Sequence, residues 1–169
     1  MEMMLSTTSM LTAALFACPD GWVGHGTNCY TLKNAPHSDM DTHEGCNTRC
    51  GANASLVCIT SPEENDFLVH EFFADGKVTV AWQGLYQWPT DRGVGRGWDR
   101  CSTGEPVGNV SKWSQRDDPS GVEHACAVLH NDGTWRDGYC LNYYPCICER
   151  SRATSNVLSR GTLSAVTAK

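Results

Sequence analysis

Ten cysteines in a chain of 169 residues restrict its fold more than any other feature of the sequence. Their number is even, and all of them lie between Cys18 and Cys148. A cytosolic protein seldom keeps so many thiols unless they bind metal, because glutathione and thioredoxin hold them reduced. The sequence therefore predicts a single domain that is cross-linked by disulfides and secreted.

Two further features favour export. Asn53 and Asn109 each begin an Asn-X-Ser triplet, the acceptor motif for N-linked glycans, and we predict that both are glycosylated. The apolar run at residues 10–17 resembles the core of a signal peptide and is too short to span a bilayer, although no basic residue precedes it. We interpret the chain as three parts: a leader at 1–17, a folded domain at 18–150 and a disordered tail, rich in Ser, Thr and Ala, at 151–169.

The charge and the motifs argue against two classes of function, nucleic-acid binding and catalysis. The net charge is −6 at pH 7, and the chain lacks the basic stripe that a nucleic-acid partner requires. No nucleophile triad, phosphate-binding loop or matched pair of carboxylates stands in a catalytic motif. We therefore expect a binding protein that is not an enzyme.

Two helices are predicted within the domain. Ser61-Pro62-Glu63-Glu64 is a capping box with proline at the first helical position, and it predicts a helix over 62–74. A second helix is predicted over 38–49, with Ser38 or Asp39 as its cap.

Short β-branched and apolar runs predict strands at 56–59, 78–82, 125–129, 134–135 and 146–149. The turn Asn131-Asp132-Gly133 predicts a hairpin between the third and fourth of these strands. The stretch from 86 to 120 has little periodicity, and a loop of this length is usually functional or cross-linked. Together, these elements predict an α+β domain with a large irregular loop region.

The motifs, taken in order, resemble a C-type lectin-like domain of the long form. Cys18-Pro19-Asp20-Gly21-Trp22 followed by Cys29-Tyr30 resembles the N-terminal hairpin of that family. Trp82-Gln83-Gly84-Leu85 is similar to its Trp-Ile-Gly-Leu core motif, with Gln83 in place of isoleucine. Trp135-Arg136-Asp137 and Ile147-Cys148-Glu149 complete the pattern, which covers about 130 residues. The resemblance implies the C-type lectin-like fold, in which two helices, small antiparallel sheets and a long loop region are held by disulfides.

The resemblance also implies three disulfides: Cys18–Cys29, Cys46–Cys148 and Cys126–Cys140. The four remaining cysteines allow three pairings. Since the fold places the strands of Cys58 and Cys146 near one another, we expect Cys58–Cys146. Cys50–Cys101 would then tie the long loop to the first helix.

In sugar-binding members of the family, calcium is held by a Glu-Pro-Asn or Gln-Pro-Asp triplet, a nearby Glu and the Asn-Asp of Trp-Asn-Asp. The corresponding residues, which we take as the sugar-binding candidates, are Asp118, Pro119, Ser120, Glu123, Arg136 and Asp137. Calcium prefers about six to eight oxygen ligands, whereas a guanidinium offers no acceptor. The resemblance therefore implies that calcium is weak or absent, with Asp118, Glu123 and Asp137 as its ligands. The alternative to calcium is that Arg136 pairs with Asp118, Glu123 or Asp137 and fills the calcium position with protein charge.

Two functions remain open: extracellular binding of a glycan or glycoprotein, with calcium as the only cofactor considered, and a calcium-independent protein-binding or structural role. A competing hypothesis is a zinc site formed by His43, Cys46 and Cys50, or by His124 and Cys126, although neither spacing is a paired Cys-X-X-Cys pattern. Aromatic residues are assigned mainly to structure. The predicted core tryptophans are Trp82, Trp113 and Trp135, and the predicted surface residues are His130, Tyr143 and Tyr144.

Overall fold

The computed structural model describes residues 17–34, 41–88, 96–107, 110, 112–114 and 125–152. Within these ranges it contains two helices and seven short strands, which confirms the predicted α+β class. The elements are α1 (His43–Cys50), α2 (Pro62–Phe73), β1 (Val23–His25), β2 (Asn28–Lys33), β3 (Ser55–Leu56), β4 (Val80–Tyr86), β5 (Cys126–His130), β6 (Trp135–Gly138) and β7 (Cys146–Ser151).

Helix α2 lies where the sequence predicts it, one residue shorter than expected. Ser61 caps the helix, since its Oγ accepts a hydrogen bond from the Glu64 N–H at 3.1 Å. Leu68 and Phe73 are buried on its inner face. The predicted helix over 62–74 is confirmed because its start and stop signals are local in sequence.

Helix α1 begins at His43, so the predicted start at residue 38 is wrong. Thr42 is the cap, and its Oγ1 accepts a hydrogen bond from the Gly45 N–H at 3.1 Å. Asp41 is held in an extended bridge with Tyr144, which prevents the helix from starting earlier. The expected caps, Ser38 and Asp39, lie outside the described residues. Neither α1 nor α2, the two helices described, has the length and apolar character needed to cross a membrane.

The seven described strands form one sheet in the order β1-β2-β7-β4-β5-β6, with β3 also paired to β7. All pairs are antiparallel except β4 and β7, which meet in parallel at Trp82 and Cys146. Gly84 allows the segment after β3 to cross close to β4, because a Cβ at this position would lie 2.9 Å from the Leu56 carbonyl oxygen. Its N–H donates to the Val57 carbonyl at 2.7 Å. This close approach explains why the core motif has glycine at position 84.

Four of the five predicted strands are present with shifted limits, and the fifth is shortened. The strand predicted at 56–59 pairs with β7 only at Ser55–Leu56, because the Cys58 N–H donates instead to the side chain of Glu149. The predicted hairpin between β5 and β6 is confirmed. Its turn places Gly133 at a φ of 80°, a conformation that favours glycine.

The sheet separates two hydrophobic clusters. The cluster on the α2 side includes Cys58, Leu68, Cys101, Leu129 and Trp135. The cluster on the α1 side includes Cys46, Cys50, Trp82, Cys146 and Cys148. Trp82 and Trp135 are fully buried, one in each cluster, so both are core residues as predicted.

All ten cysteines are paired in five disulfides. Cys18–Cys29 and Cys126–Cys140 agree with the pairs that the resemblance implies. The three other bridges are Cys46–Cys146, Cys50–Cys148 and Cys58–Cys101. The predicted pairs Cys46–Cys148, Cys58–Cys146 and Cys50–Cys101 are therefore wrong.

The geometry of α1 and β7 explains the first of these corrections. Residues four apart in a helix share a face and rise about 6 Å, and residues two apart in a strand share a face at about 6.7 Å. Cys46 and Cys50 therefore face Cys146 and Cys148 with matching spacing, and two parallel bridges form.

The two faces of the sheet explain the other corrections. Cys58 and Cys101 both belong to the cluster on the α2 side, whereas Cys146 lies in the cluster on the α1 side. Cys58 therefore cannot reach Cys146 through the sheet, although the two are close in strand order. Its bridge to Cys101 attaches the long loop region to the segment after β3 instead.

Gln83, which replaces the isoleucine of the family motif, is fully buried. Its Nε2 and Oε1 have no hydrogen-bond partner within the part of the chain that the structure describes. Gln83→Met keeps the side-chain length and removes both polar atoms, so we expect the free energy of unfolding to rise by about 1–3 kcal/mol in chemical denaturation. Gln83→Glu, the matched control, should lower it. A loss of stability in Gln83→Met would show that the amide is hydrogen-bonded.

Candidate ligand-binding site

Three tryptophans of the cluster on the α2 side form an edge-to-face row. The ring centroids of Trp98 and Trp113 are 4.9 Å apart, and those of Trp113 and Trp135 are 6.1 Å apart. The Trp135 Nε1–H donates to Asn65 Oδ1 at 2.7 Å, and the Asn65 Nδ2–H donates to the Gly133 carbonyl at 3.1 Å. The row and the buried Asn65 amide fix β6 against α2. Trp113 packs partly buried against this core, in agreement with the sequence analysis.

Arg136 and Asp137 point to opposite faces of β6, because successive side chains of a strand alternate. Asp137 shares the face of Trp135 and α2, whereas Arg136 lies opposite Val128 on the α1 side. Arg136 Nη2 is 3.8 Å from Asp132 Oδ2 in the hairpin turn, and both side chains are exposed enough for this ion pair to be weak. The cation is therefore directed away from the face that carries Asp137. Asp132 was not predicted as the partner of Arg136, although the two residues are four apart in the sequence.

The other predicted site residues, Asp118, Pro119, Ser120 and Glu123, lie outside the described residues. Their roles as calcium or sugar ligands, and their pairing with Arg136, stay predictions. The same holds for Asn109 as a glycosylation site.

The structure does describe both ends of the segment that carries these residues. Ser114 N–H donates to the Trp135 carbonyl at 3.0 Å, in a parallel bridge, so the chain leaves this point alongside β6. It returns at Ala125, whose carbonyl accepts from Gln87 N–H at 2.8 Å, just before Cys126 pairs with Gly138. Both ends of residues 115–124 are thus anchored beside the strand that presents Asp137.

The zinc hypothesis for His43 is wrong, because Cys46 and Cys50 are disulfide-bonded. His43 is buried with its Nε2 at 3.0 Å from the Gln83 carbonyl oxygen, and burial lowers its pKa to about 4. His43 is therefore a neutral core residue at physiological pH. Cys126 is also disulfide-bonded, and His124 lies outside the described residues. Among the residues that can be described, no group of three or more metal-ligating side chains converges.

Two buried carboxyl groups lie near the junction of β2, β7 and α2. Glu64 accepts a hydrogen bond from the Tyr30 hydroxyl at 2.7 Å, and burial together with this bond raises the pKa of Tyr30. Glu149 Oε1 accepts from the Cys58 N–H at 2.7 Å. Burial, and to a lesser extent the charges of Glu64 and Glu105, raise the pKa of Glu149 to about 8. A large share of the Glu149 side chains is therefore protonated at neutral pH.

Three large apolar side chains are exposed between β6 and β7. We call them the apolar ridge: Tyr139, Leu141 and Tyr143, which are 44%, 61% and 63% exposed. The Cys126–Cys140 bridge and a hydrogen bond from the Asn142 N–H to the Tyr139 carbonyl at 2.8 Å hold this segment. Tyr143 lies on the surface as predicted, whereas Tyr144 packs edge-on against Trp82. The ridge was not predicted, although large apolar residues at three alternate positions indicate it in the sequence.

Comparison with known proteins places this arrangement in a family. The family model for the lectin C-type domain matches residues 35–150. Human asialoglycoprotein receptor 2 is 27% identical over 160 residues, which cover 93% of this chain and 47% of the receptor. The chain thus spans about half the length of the first curated relatives that it matches.

Solved structures agree with the fold. Human lithostathine superposes with a TM-score of 0.69 at 21% identity, covering 90% of this chain and all of that one. A calcium-independent type II antifreeze protein superposes with a TM-score of 0.66 at 21% identity, covering 81% of this chain and 96% of that one. The family match over most of the domain, together with this fold, shows that the chain belongs to the C-type lectin domain family, whose members are generally binding proteins without enzymatic activity.

Proposed function

We propose that this domain is an extracellular glycan-binding module whose ligand sits beside the end of β6 that carries Asp137. Asp118, Glu123 and Asp137 would hold a weakly bound calcium ion there. The name of asialoglycoprotein receptor 2 identifies a relative that recognises glycoproteins, which favours this class of ligand. The disulfide content favours an oxidising, extracellular setting.

The observation that carries the proposal is the convergence of chain segments beside Asp137. Asp118 follows Ser114 by four residues, and Glu123 precedes Ala125 by two. An extended chain spans at most about 14 Å and 7 Å over these lengths, so both carboxylates stay within reach of the end of β6. Three carboxylates at one place supply the hard oxygen ligands that calcium prefers.

Arg136 leaves the proposed calcium site poor in ligands. The Arg136 side chain leaves β6 on the face opposite Asp137, and its Nη2 lies 3.8 Å from Asp132 Oδ2. The guanidinium supplies no oxygen in place of the family's asparagine, so one ligand is lost. We therefore expect calcium affinity in the millimolar range that is typical of weak extracellular sites.

Calcium should stabilise the wild-type domain through Asp137. At tenfold over its dissociation constant, calcium adds about 1.4 kcal/mol to the free energy of unfolding, which raises Tm by about 5 °C. Asp137→Asn should abolish this rise in a thermal-shift titration. The control Asp132→Asn, which keeps the oxygen that accepts from Thr134, should retain it. No shift in the wild type at ten millimolar calcium would contradict the calcium part of the proposal.

A glycan array run with and without a chelator tests the function itself. We expect binding to a restricted set of glycans that falls several-fold when calcium is removed. Glycan binding that is unchanged by the chelator would support the glycan-binding function and show that it does not require calcium. An array without any bound glycan, probed with folded and disulfide-intact protein, would contradict the proposal.

The apolar ridge favours a second candidate function, which is calcium-independent binding of a protein. Exposed tyrosines on a rigid, disulfide-held segment are typical of interaction surfaces, since they bury large areas at little entropic cost. In this case Tyr139→Ser combined with Tyr143→Ser should abolish capture of the partner, while Asp137→Asn should leave it unchanged.

A further inference from the structure

A polar cavity of about 540 Å³ lies where the β1–β2 turn, the connection from α1 to β3 and the end of β7 meet. Its volume falls within the range of about 300–1,000 Å³ that is usual for ligand pockets. The polar groups in its wall that matter here belong to Asn28, Asn53, Ser55, Glu105, Glu149 and Ser151. None of them belongs to the candidate calcium site, so the cavity is a separate feature of the domain.

Glu149 gives the cavity a buried polar group that faces an opening. The residue is only 8% exposed, and its Oε1 accepts the Cys58 N–H. Its Oε2 has no hydrogen-bond partner among the described residues. Because Glu149 lines the cavity and its second carboxyl oxygen is not used by the described part of the protein, an occupant that offers hydroxyl or amide groups could hydrogen-bond to it there.

Asn53 stands in the same wall and is exposed to solvent. It lies in a turn closed by a hydrogen bond of 3.2 Å from the Ala54 N–H to the Gly51 carbonyl, with a φ of 61°. Asparagine tolerates this left-handed conformation, so the turn alone accounts for an asparagine here. The turn does not account for Ser55, which completes the glycosylation triplet Asn53-Ala54-Ser55.

We infer that Asn53 carries an N-linked glycan and that the first N-acetylglucosamine of this glycan occupies the adjacent cavity as an internal ligand. In the transfer, Asn53 Nδ2 forms a bond to the sugar C1 and loses one N–H proton. The bond from C1 to the diphosphate oxygen of the lipid-linked oligosaccharide donor breaks, and the diphosphate leaves.

The attached sugar matches the chemistry of the cavity. Its hydroxyl and acetamido groups supply donors and acceptors for Asn28, Ser151 and the open oxygen of Glu149. Because Asn53 holds the sugar at the cavity, its effective concentration there is high, and contacts too weak for a free monosaccharide suffice. The glycan would therefore be ordered at its base and would close the cavity to other ligands.

This inference shares with the proposed function the requirement that the chain passes through the secretory pathway. It does not depend on sugar or calcium binding at β6. A domain that binds no glycan on an array can still carry this modification, so the two proposals fail separately.

Mass spectrometry of the chain secreted from glycosylating eukaryotic cells tests the modification. We expect a glycan on the Asn53 peptide of the wild type and of Ser55→Thr, which preserves the triplet. We expect none in Ser55→Ala, which removes the acceptor motif at the cost of one hydroxyl. An unmodified Asn53 in the wild type would overturn the inference.

Hydrogen exchange tests whether the first sugar occupies the cavity, and it compares one preparation of folded protein before and after enzymatic trimming of the glycan. Trimming with an endoglycosidase that leaves the first sugar should preserve the slow exchange of amides at 26–28 and 149–152. Removal of the whole glycan by an amidase, which leaves aspartate at position 53, should accelerate it at least threefold and reproduce the exchange of Asn53→Asp. Equal exchange before and after complete removal would show a glycan that points into solvent, and would overturn the occupancy.

Discussion

Replacing both the Cys46–Cys146 and Cys50–Cys148 disulfides with alanine pairs is expected to lower the free energy of unfolding by about 7 kcal/mol. Each disulfide spans about a hundred residues, with sequence separations of 100 and 98. While one remains, however, the other closes a ring of only about eight residues, so removing either alone costs about 2.5 kcal/mol. Removing the second then releases the full loop, at about 4.7 kcal/mol. The two bridges should therefore show a coupling of about 2 kcal/mol in guanidinium denaturation of the single and double variants.

The Cys18–Cys29 disulfide provides the control for this cycle. It closes a loop of 11 residues that lies outside the other two rings. Its removal combined with that of Cys46–Cys146 should be additive, since neither bridge changes the loop that the other closes. If the losses in free energy of unfolding for the Cys46–Cys146 and Cys50–Cys148 variants are additive, the predicted coupling between the two bridges is contradicted. A double variant that fails to fold while both single variants fold would support it.

The buried Glu149 should make the domain lose stability as pH rises, in contrast to most carboxyl groups. Its pKa is about 8 in the folded protein, above the ordinary value of 4.5. Between these values the folded state holds a proton that the unfolded state has released, so the free energy of unfolding decreases with increasing pH. The loss in free energy of unfolding between pH 4.5 and pH 8 amounts to at most about 4–5 kcal/mol. Above pH 8 it levels off.

Glu149→Gln isolates this effect, because its side-chain oxygen still accepts the Cys58 N–H and the group no longer titrates. We expect wild type and variant to be similar in stability near pH 4.5 and the variant to be more stable at pH 8. Chemical denaturation across this range is the measurement, with Glu71→Gln on the exposed side of α2 as the control. Parallel curves for wild type and Glu149→Gln would contradict the buried, protonated acid.

Local signals predicted part of the fold, and long-range pairing determined the rest. The cap at Ser61 and the turn at Gly133 depend on neighbours within a few residues, and both predictions were confirmed. The start of α1 depends on the bridge between Asp41 and Tyr144, about a hundred residues apart, which no local pattern reveals. The resemblance predicted the family and fold correctly because it uses many weak motifs in order.

The disulfide pairs were predicted wrongly from strand proximity, although the cysteine spacing in the sequence indicates two of the correct pairs. Proximity of strands suggested Cys58–Cys146, but the sheet places these side chains on opposite faces. The spacing of four between Cys46 and Cys50, and of two between Cys146 and Cys148, already matched a helix beside a strand. That periodicity would have predicted the correct bridges if it had been used.

At the candidate site, the alternation of side chains along β6 shows on which face each motif residue lies, which the motif alone does not. Trp135-Arg136-Asp137 showed that a cation had replaced a ligand, and suggested that it lies among the carboxylates. The register of β6 directs Arg136 and Asp137 to opposite faces of the strand. The pairing of Arg136 with Asp118 or Glu123 stays a prediction, since both carboxylates lie outside the described residues.

Calorimetric titration of the strongest glycan from the array tests most directly whether the ligand binds beside Asp137. The glycan would be titrated at saturating calcium into wild type, Asp137→Asn and Asp132→Asn. We expect the dissociation constant to rise at least tenfold in Asp137→Asn and to stay within twofold of wild type in Asp132→Asn. Wild-type affinity in Asp137→Asn would contradict a glycan site at this end of β6.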